Sequence, residues 1–464
     1  MTKKEKLSRK EMILNQTPIL KGMIVLSLPI LLTNIIKSFH SVVDMFFLSR
    51  MERSHSVIAS SLAAINIYFP TNLLFMSIAS GLAVAAITLI KQYKNLNRDD
   101  LAVKYASKIA FASFITGIII SMLMFLLAPG LAKIMNARGE TYECAITYFR
   151  IRSLEILPMF MYLIYQGIRH AEDQSILPTT FNFASIIINI FFAWLFVTKL
   201  DMGVAGAAWA TMISNSFTLP FVLFGLFFNR RTLSVNIREF FPDKETSKDI
   251  LKLVFPASIT SALNAIGFMI LTGRLLSFGD GISCGLAIGN RISLLVTNIF
   301  APISTILSTY LIVNIENNNP ARARKSYLTA LYFIIGLSVV LTGIVMLLSK
   351  PLIHLILTKD IPFDYNVAAR FTFWLLFTQP FVAIIRIDHS YFNATGHFNY
   401  SLISTLIGLW VIRIPVLYSL GLIFNNVVWN ASWISLVVSN VVMVVINLFL
   451  KKRITLERKV SYYA

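Results

Sequence analysis

Charged side chains are scarce in this chain. Asp, Glu, Lys and Arg make up 14% of its 464 residues and hydrophobic residues 56%, whereas soluble domains carry roughly 25% charged residues. With a mean hydropathy of +0.71, the composition excludes an ordinary soluble fold and implies a polytopic membrane protein. Cysteine is nearly absent: Cys144 and Cys284 lack metal-ligand spacing, make no disulfide framework and are expected as thiols. The six His form no HExxH or similar cluster, so no metal centre is expected. No GxxxxGKS or GxxxxGKT phosphate loop occurs, which argues against direct drive by ATP. A membrane enzyme would need a concentrated set of nucleophiles or metal ligands, and none is visible. No cofactor is expected.

What the chain has instead is long apolar runs. Stretches of about 20 residues cross a hydrocarbon core of roughly 30 Å as helix. They predict twelve spans near 23–49, 57–90, 102–128, 143–169, 176–198, 204–228, 251–278, 283–314, 327–348, 369–394, 399–422 and 429–450. The net charge of +19 would suggest nucleic acid in a soluble chain, but its distribution follows a membrane. With both termini in the cytoplasm, 26 Lys and Arg fall in inside segments or the span ends beside them, 12 in outside segments or span ends, and three (Lys37, Arg386, Arg413) in helix interiors, as the positive-inside rule expects. The basic clusters then serve topology and contact with anionic lipid, not nucleic acid. The basic start imitates a signal peptide, yet the apolar run from Met23 is too long and lacks a cleavage site before Pro29, so an uncleaved first span is expected. The expected location is the cell inner (plasma) membrane.

The basic segment near the middle divides two halves that resemble one another. Pro29 matches Pro256 at an offset of 227, "SLAAIN" (61–66) matches "GLAIGN" (285–290) at 224, Pro158 matches Pro380 at 222, and Trp209 matches Trp433 at 224. A nearly constant offset implies duplication, and six spans per copy relate the copies by an axis along the membrane normal. The predicted fold is an all-α polytopic membrane protein: twelve transmembrane helices in two pseudo-symmetric six-helix bundles around a central cavity. Its parts are a tail at 1–22, a bundle at 23–228, a linker at 229–250, a second bundle at 251–450 and a tail at 451–464, with linker and tails cytoplasmic. Pro29 and Pro256 each remove a helix hydrogen bond early in a long span and are candidate hinges.

The first span, "PILLTNIIKSFHSVVDMFFL" (29–48), carries Lys37, His40 and Asp44. A formal charge at the bilayer centre costs roughly 2.5–3.5 kcal/mol on insertion scales. The spacing i, i+3, i+7 places the three on one helix face, with His40 able to pair directly with Asp44. Two readings stand: a polar ladder that satisfies itself, or a proton or cation site. His40 could pass a proton or simply hydrogen-bond. Asp44 is expected to be the only acid well inside the first six spans, because Glu155, at i+3 from Arg152, reads as a structural pair near the outer end of the fourth. In the second half, Asp388 in "AIIRIDHSYF" faces away from Arg386 and is expected to pair with Arg413 of "WVIRIPV". Either a static salt bridge or a coupling site fits that pair. Gly81, Gly117 and Gly343 are expected to allow close helix approach.

The stretches "TPILKGMIVLSLPILLTNIIKSFHSVVDMFFLSR", "GIRHAEDQSILPTTFNFASIIINIFFAWLF" and "GVAGAAWATMIS", followed by "GDGISCGLAIGNRI", "YFNATGH" and "WVIRIPVLYSL", resemble the multidrug and toxic compound extrusion (MATE) antiporters over nearly the whole chain. The resemblance implies export of amphipathic, often cationic organic compounds driven by inward Na⁺ or H⁺ flow. It places the family's cation-site acid on Asp44, its fifth-helix Asn on Asn189 and its sixth-helix Thr on Thr211. Ala193 stands where many members carry a second Asp, and Lys37 where a neutral polar residue is commoner. A Na⁺ site favours several oxygens and more negative charge, so H⁺ is the expected driving ion. The expected partners are a small-molecule organic substrate and the lipid bilayer, with the chain a monomer. The alternative is a flippase of the same superfamily moving a lipid-linked or anionic-headgroup substrate, with Lys37, Arg386 and Arg413 as a phosphate track.

Overall fold

Lipid offers the backbone no hydrogen-bonding partner, so a spanning chain must satisfy its amides within helices or a closed barrel. The computed structural model describes residues 17–172, 174, 176–229, 233–277, 279–356, 365–423 and 428–454, which hold helices and no strand. In chain order the α-helices are α1 (Ile19–Leu48), α2 (His55–Asn95), α3 (Asp99–Ile134), α4 (Gly139–Ser153), α5 (Ile156–Ala171), α6 (Ile176–Ala193), α7 (Gly203–Ser216), α8 (Leu219–Phe227) and α9 (Lys244–Leu276). They continue as α10 (Asp280–Glu316), α11 (Pro320–Leu347), α12 (Ser349–Ile356), α13 (Tyr365–Phe377), α14 (Gln379–Ala394), α15 (Phe398–Leu406), α16 (Ile414–Ile423) and α17 (Val428–Lys451). Widened π-helical segments follow α6 at Trp194–Lys199 and α15 at Ile407–Arg413.

Nine helical runs among the described residues are long and apolar enough to cross a membrane, and the pair Asn366–Phe377 and Gln379–Ala394, bent by 40°, makes a tenth. With α1 and the α4–α5 pair, helices occupy all twelve predicted stretches. The fourth stretch is broken, however. Pro158 has no N–H to offer the carbonyl of Leu154, so the chain turns at Leu154 and Glu155 and restarts at Ile156. Pro380 sits two residues into α14, beside the corresponding break at Thr378.

The turns repeat as well. Asn97 and Asn318, at an offset of 221, both adopt left-handed backbone (φ 55° and 51°). After each, the next amide reaches back five residues, Arg98 to Tyr93 at 2.9 Å and Asn319 to Asn314 at 2.8 Å. This is one helix-ending motif built twice.

The chain forms two compact units, one of Phe39–Ala287 with His354–Tyr365, the other of the chain up to Ser38, Ile288–Ile353 and the chain from Asn366 on. In the first, α2 runs along α9. A Cβ on Gly81 would lie 2.2 Å from Ser258 Oγ and 2.7 Å from the Val254 carbonyl, so only glycine permits this approach. Gly117 similarly faces Leu157 and Phe160 at 3.1–3.3 Å, whereas Gly343 has nothing within 4 Å and serves no close approach. The core of this unit gathers Ala85, Ile109, Ile164, Tyr165 and Val222 from α2, α3, α5 and α8. In the second unit, Trp374 and Trp433 stack at 3.9 Å. Cys144 and Cys284 are both thiols.

Candidate functional site

Asp44 lies near the end of α1, 5% exposed, within the first unit. Its partner is Thr211 of α7, whose Oγ1 stands 2.8 Å and 3.0 Å from the two carboxylate oxygens. Asn189 of α6 donates from Nδ2 to the same Oγ1 at 3.1 Å, and its Oδ1, fully buried, has no hydrogen-bond partner among the described residues. The small residues of "GAAWAT" let α7 approach closely: Ala207, Ala208 and Ala210 are all fully buried. Ser185 of α6 donates to the Ser214 carbonyl at 2.9 Å, holding the two helices together. Asp44, Asn189 and Thr211 thus meet on three helices. Pro29, Lys37 and His40 lie on the backbone of α1, and their side chains are outside the described residues.

A second acid stands behind Asp44. Glu155, at the break between α4 and α5, is 0% exposed. Arg152 donates to its Oε1 from Nε at 2.8 Å, with Nη2 at 2.6 Å. Tyr68 donates to Oε1 at 3.1 Å and Asn215 to Oε2 at 3.0 Å. The same guanidinium turns Nη1 toward Tyr148 Oη at 2.7 Å and toward Asp44 Oδ2 at 3.9 Å, and it lies 4.6 Å from the Tyr68 ring centroid. Asp44 is therefore not the only acid inside the first six spans. The i, i+3 spacing of Arg152 and Glu155 signalled their pairing; that Pro158 would break the helix and turn the pair inward was the part the spacing left open.

In the second unit, Asp388 of α14 is fully buried. Its ion pair is with Lys451 at the end of α17, 3.0 Å from Oδ1, and Tyr327 of α11 donates to the same oxygen at 2.7 Å. The expected cation, Arg413, sits instead in the π-helical segment before α16. A lysine closing the last span reads in sequence as an interfacial anchor, and this one bends back to the acid. Among the described residues no group of three or more His, Cys, Asp and Glu side chains could hold a metal ion.

Spanning helices throughout, in two sequence repeats, with polar clusters buried among them, define a polytopic membrane transporter. The MatE family profile matches residues 29–195 and 256–419, each match opening on one of the two candidate hinge prolines, and the chain belongs to that family. It is accordingly a secondary transporter and not an enzyme, and its transport is ion-coupled. It is similar to a probable multidrug resistance protein, YpnP, of Bacillus subtilis (24% identity, 86% of this chain and 88% of that one). It is also similar to the multidrug export protein MepA of Staphylococcus aureus, at 24% identity over 57% of this chain and 58% of that protein.

Among solved structures, the fold matches a multidrug resistance MATE family transporter in an inward-facing conformation with a TM-score of 0.80, at 21% identity over 89% of this chain and 93% of that one. It matches a transporter of the MOP superfamily from Pyrococcus furiosus, described as having a binding pocket of reverse polarity, with a TM-score of 0.77 at 21% identity over 97% and 98%.

Proposed function

We propose that this chain exports amphipathic organic compounds, cationic ones such as ethidium among them, in exchange for protons, with Asp44 taking up the driving ion. The observation that carries the reading is a buried carboxylate on a spanning helix whose hydrogen-bond donors, Thr211 and behind it Asn189, are neutral. An acid of this kind is costly to keep at membrane depth for packing alone. The names of the two bacterial relatives support the substrate class. Loading neutralises Asp44, α1 and α9 flex about Pro29 and Pro256, and access alternates between the repeats 23–228 and 251–450, with linker and both tails on the cytoplasmic side. Drug and ion must favour different states for either to drive the other.

The guanidinium of Arg152 at 3.9 Å opposes a metal ion more than a proton, which binds the carboxylate covalently and needs no cage of oxygens. Sodium is the second reading, favoured by the unpartnered Asn189 Oδ1, which could add an oxygen ligand. Asp44→Asn is expected to reach the membrane at the parent level and lose driven ethidium efflux from cells by about tenfold or more. Normal extrusion at equal protein levels would rule Asp44 out as the coupling group.

A further inference from the structure

We infer that Glu155 is the second carboxylate of the cation-coupling site and acts on Asp44 through Arg152. The inference deepens the reading of Asp44 given above and rests on it. Arg152 is shared unequally. It is hydrogen-bonded to Glu155 at 2.6–2.8 Å, yet it faces Asp44 only across 3.9 Å, beyond the roughly 3.2 Å limit of a good N–H···O bond. Glu155 is also the better satisfied acid, taking Tyr68 and Asn215 as well. Asp44 has the Thr211 hydroxyl, and beside it stands an Asn189 oxygen with no partner.

The charge count follows from these contacts. Among the described side chains the cluster holds two carboxylates and one guanidinium, so with both acids ionised it is one positive charge short. Buried charge without a partner is expensive, and one monovalent cation on Asp44 completes the balance. The requirement for that cation belongs to the cluster and not to Asp44 alone. Ala193 stands where many family members carry a second Asp; here the second carboxylate comes from the break between α4 and α5 and brings its own arginine.

Glu155→Gln changes the count. The guanidinium, released from Glu155, needs to move only about 1 Å to hydrogen-bond Asp44, and the cluster is then neutral with no ion loaded. Asp44 no longer needs the driving cation, and coupling fails. Removing the arginine too, in Arg152→Gln/Glu155→Gln, leaves Asp44 as a single unmatched charge and restores the shortfall. A merely structural Glu155 predicts the opposite order, because the double variant loses every bond the single one loses and more.

The test uses the purified full-length chain in proteoliposomes with ethidium as probe. A pH gradient and a Na⁺ gradient are imposed together, so that the result is independent of which ion drives. The readout is the ratio of driven to undriven ethidium accumulation. Glu155→Gln is expected to lower that ratio about tenfold, and the double variant to return it to within about threefold of the parent. Glu155→Asp, which keeps the charge, is expected to retain about half or more of it, and it carries the test together with the double variant if Glu155→Gln does not fold. A parental ratio in Glu155→Gln, or a double variant no better than the single one, overturns the inference. So does a Glu155→Asp as impaired as Glu155→Gln. Asp44→Asn run in parallel separates the two readings. A parental ratio there defeats the assignment of Asp44 itself, whereas its loss beside an unaffected Glu155→Gln defeats only the role of Glu155.

Discussion

A charge taken out of water must be matched by another, and the second half of the chain does this with Asp388, Tyr327 and Lys451. Both donors converge on Asp388 Oδ1, Tyr327 at 2.7 Å and Lys451 at 3.0 Å, and the lysine also lies 4.8 Å from the Tyr327 ring centroid. The ammonium is 21% exposed on its side chain while the carboxylate is fully buried, so the lysine can reach water if the acid is removed. We read this pair as static. Asp388→Asn is expected to cost about 2 kcal/mol, less than the 3–5 kcal/mol of a pair buried at both ends, and to lower the detergent-solubilised melting temperature while driven ethidium export persists. Loss of driven export at unchanged melting temperature would move Asp388 into the coupling machinery. At this scale Asp44 was legible because a carboxylate within an apolar run has few uses. Lys451 was not: a basic residue at a span end has an ordinary interfacial role, and nothing local to it points back to α14.

Prolines set the breaks between helices and were legible one by one, but their consequences differ. Pro158 and Pro380 each sit at the start of a helix restarted after a break, whereas Pro256 lies inside the continuous α9, where Thr260 donates to its carbonyl at 2.9 Å. A proline inside a helix removes one hydrogen bond and leaves the rod easier to bend. Pro29→Ala and Pro256→Ala are expected to keep substrate affinity and slow ethidium turnover in proteoliposomes several-fold, as the restored amide favours one straight conformation. Unchanged turnover in both would remove these prolines from the transport cycle. The spans themselves were readable because hydrophobic length is a physical requirement of the bilayer. The burial of Glu155 escaped because it depends on a helix break three residues before Pro158, which the i, i+3 spacing with Arg152 does not reveal.

At the scale of the whole molecule, duplication was visible in four matched landmarks, and the structure repeats it in the paired turns at Asn97 and Asn318 and in the widened helical segments at Trp194–Lys199 and Ile407–Arg413. What separates the two copies chemically is their buried charge. Among the described side chains of the first half, Asp44 and Glu155 share one arginine, a cluster one positive charge short. In the second, the buried Asp388 is matched by Lys451. On that asymmetry we propose ion coupling for the first half and read the pair in the second as static.

We propose that a proton completes this cluster. The most direct measurement is proton movement itself, followed with a trapped pH-sensitive dye in proteoliposomes of the full chain in Na⁺-free buffer, with ethidium added on one side. Ethidium is expected to elicit a counter-directed proton flux that vanishes in Asp44→Asn. Ethidium transport without any proton flux, appearing only when a Na⁺ gradient is supplied, would contradict it.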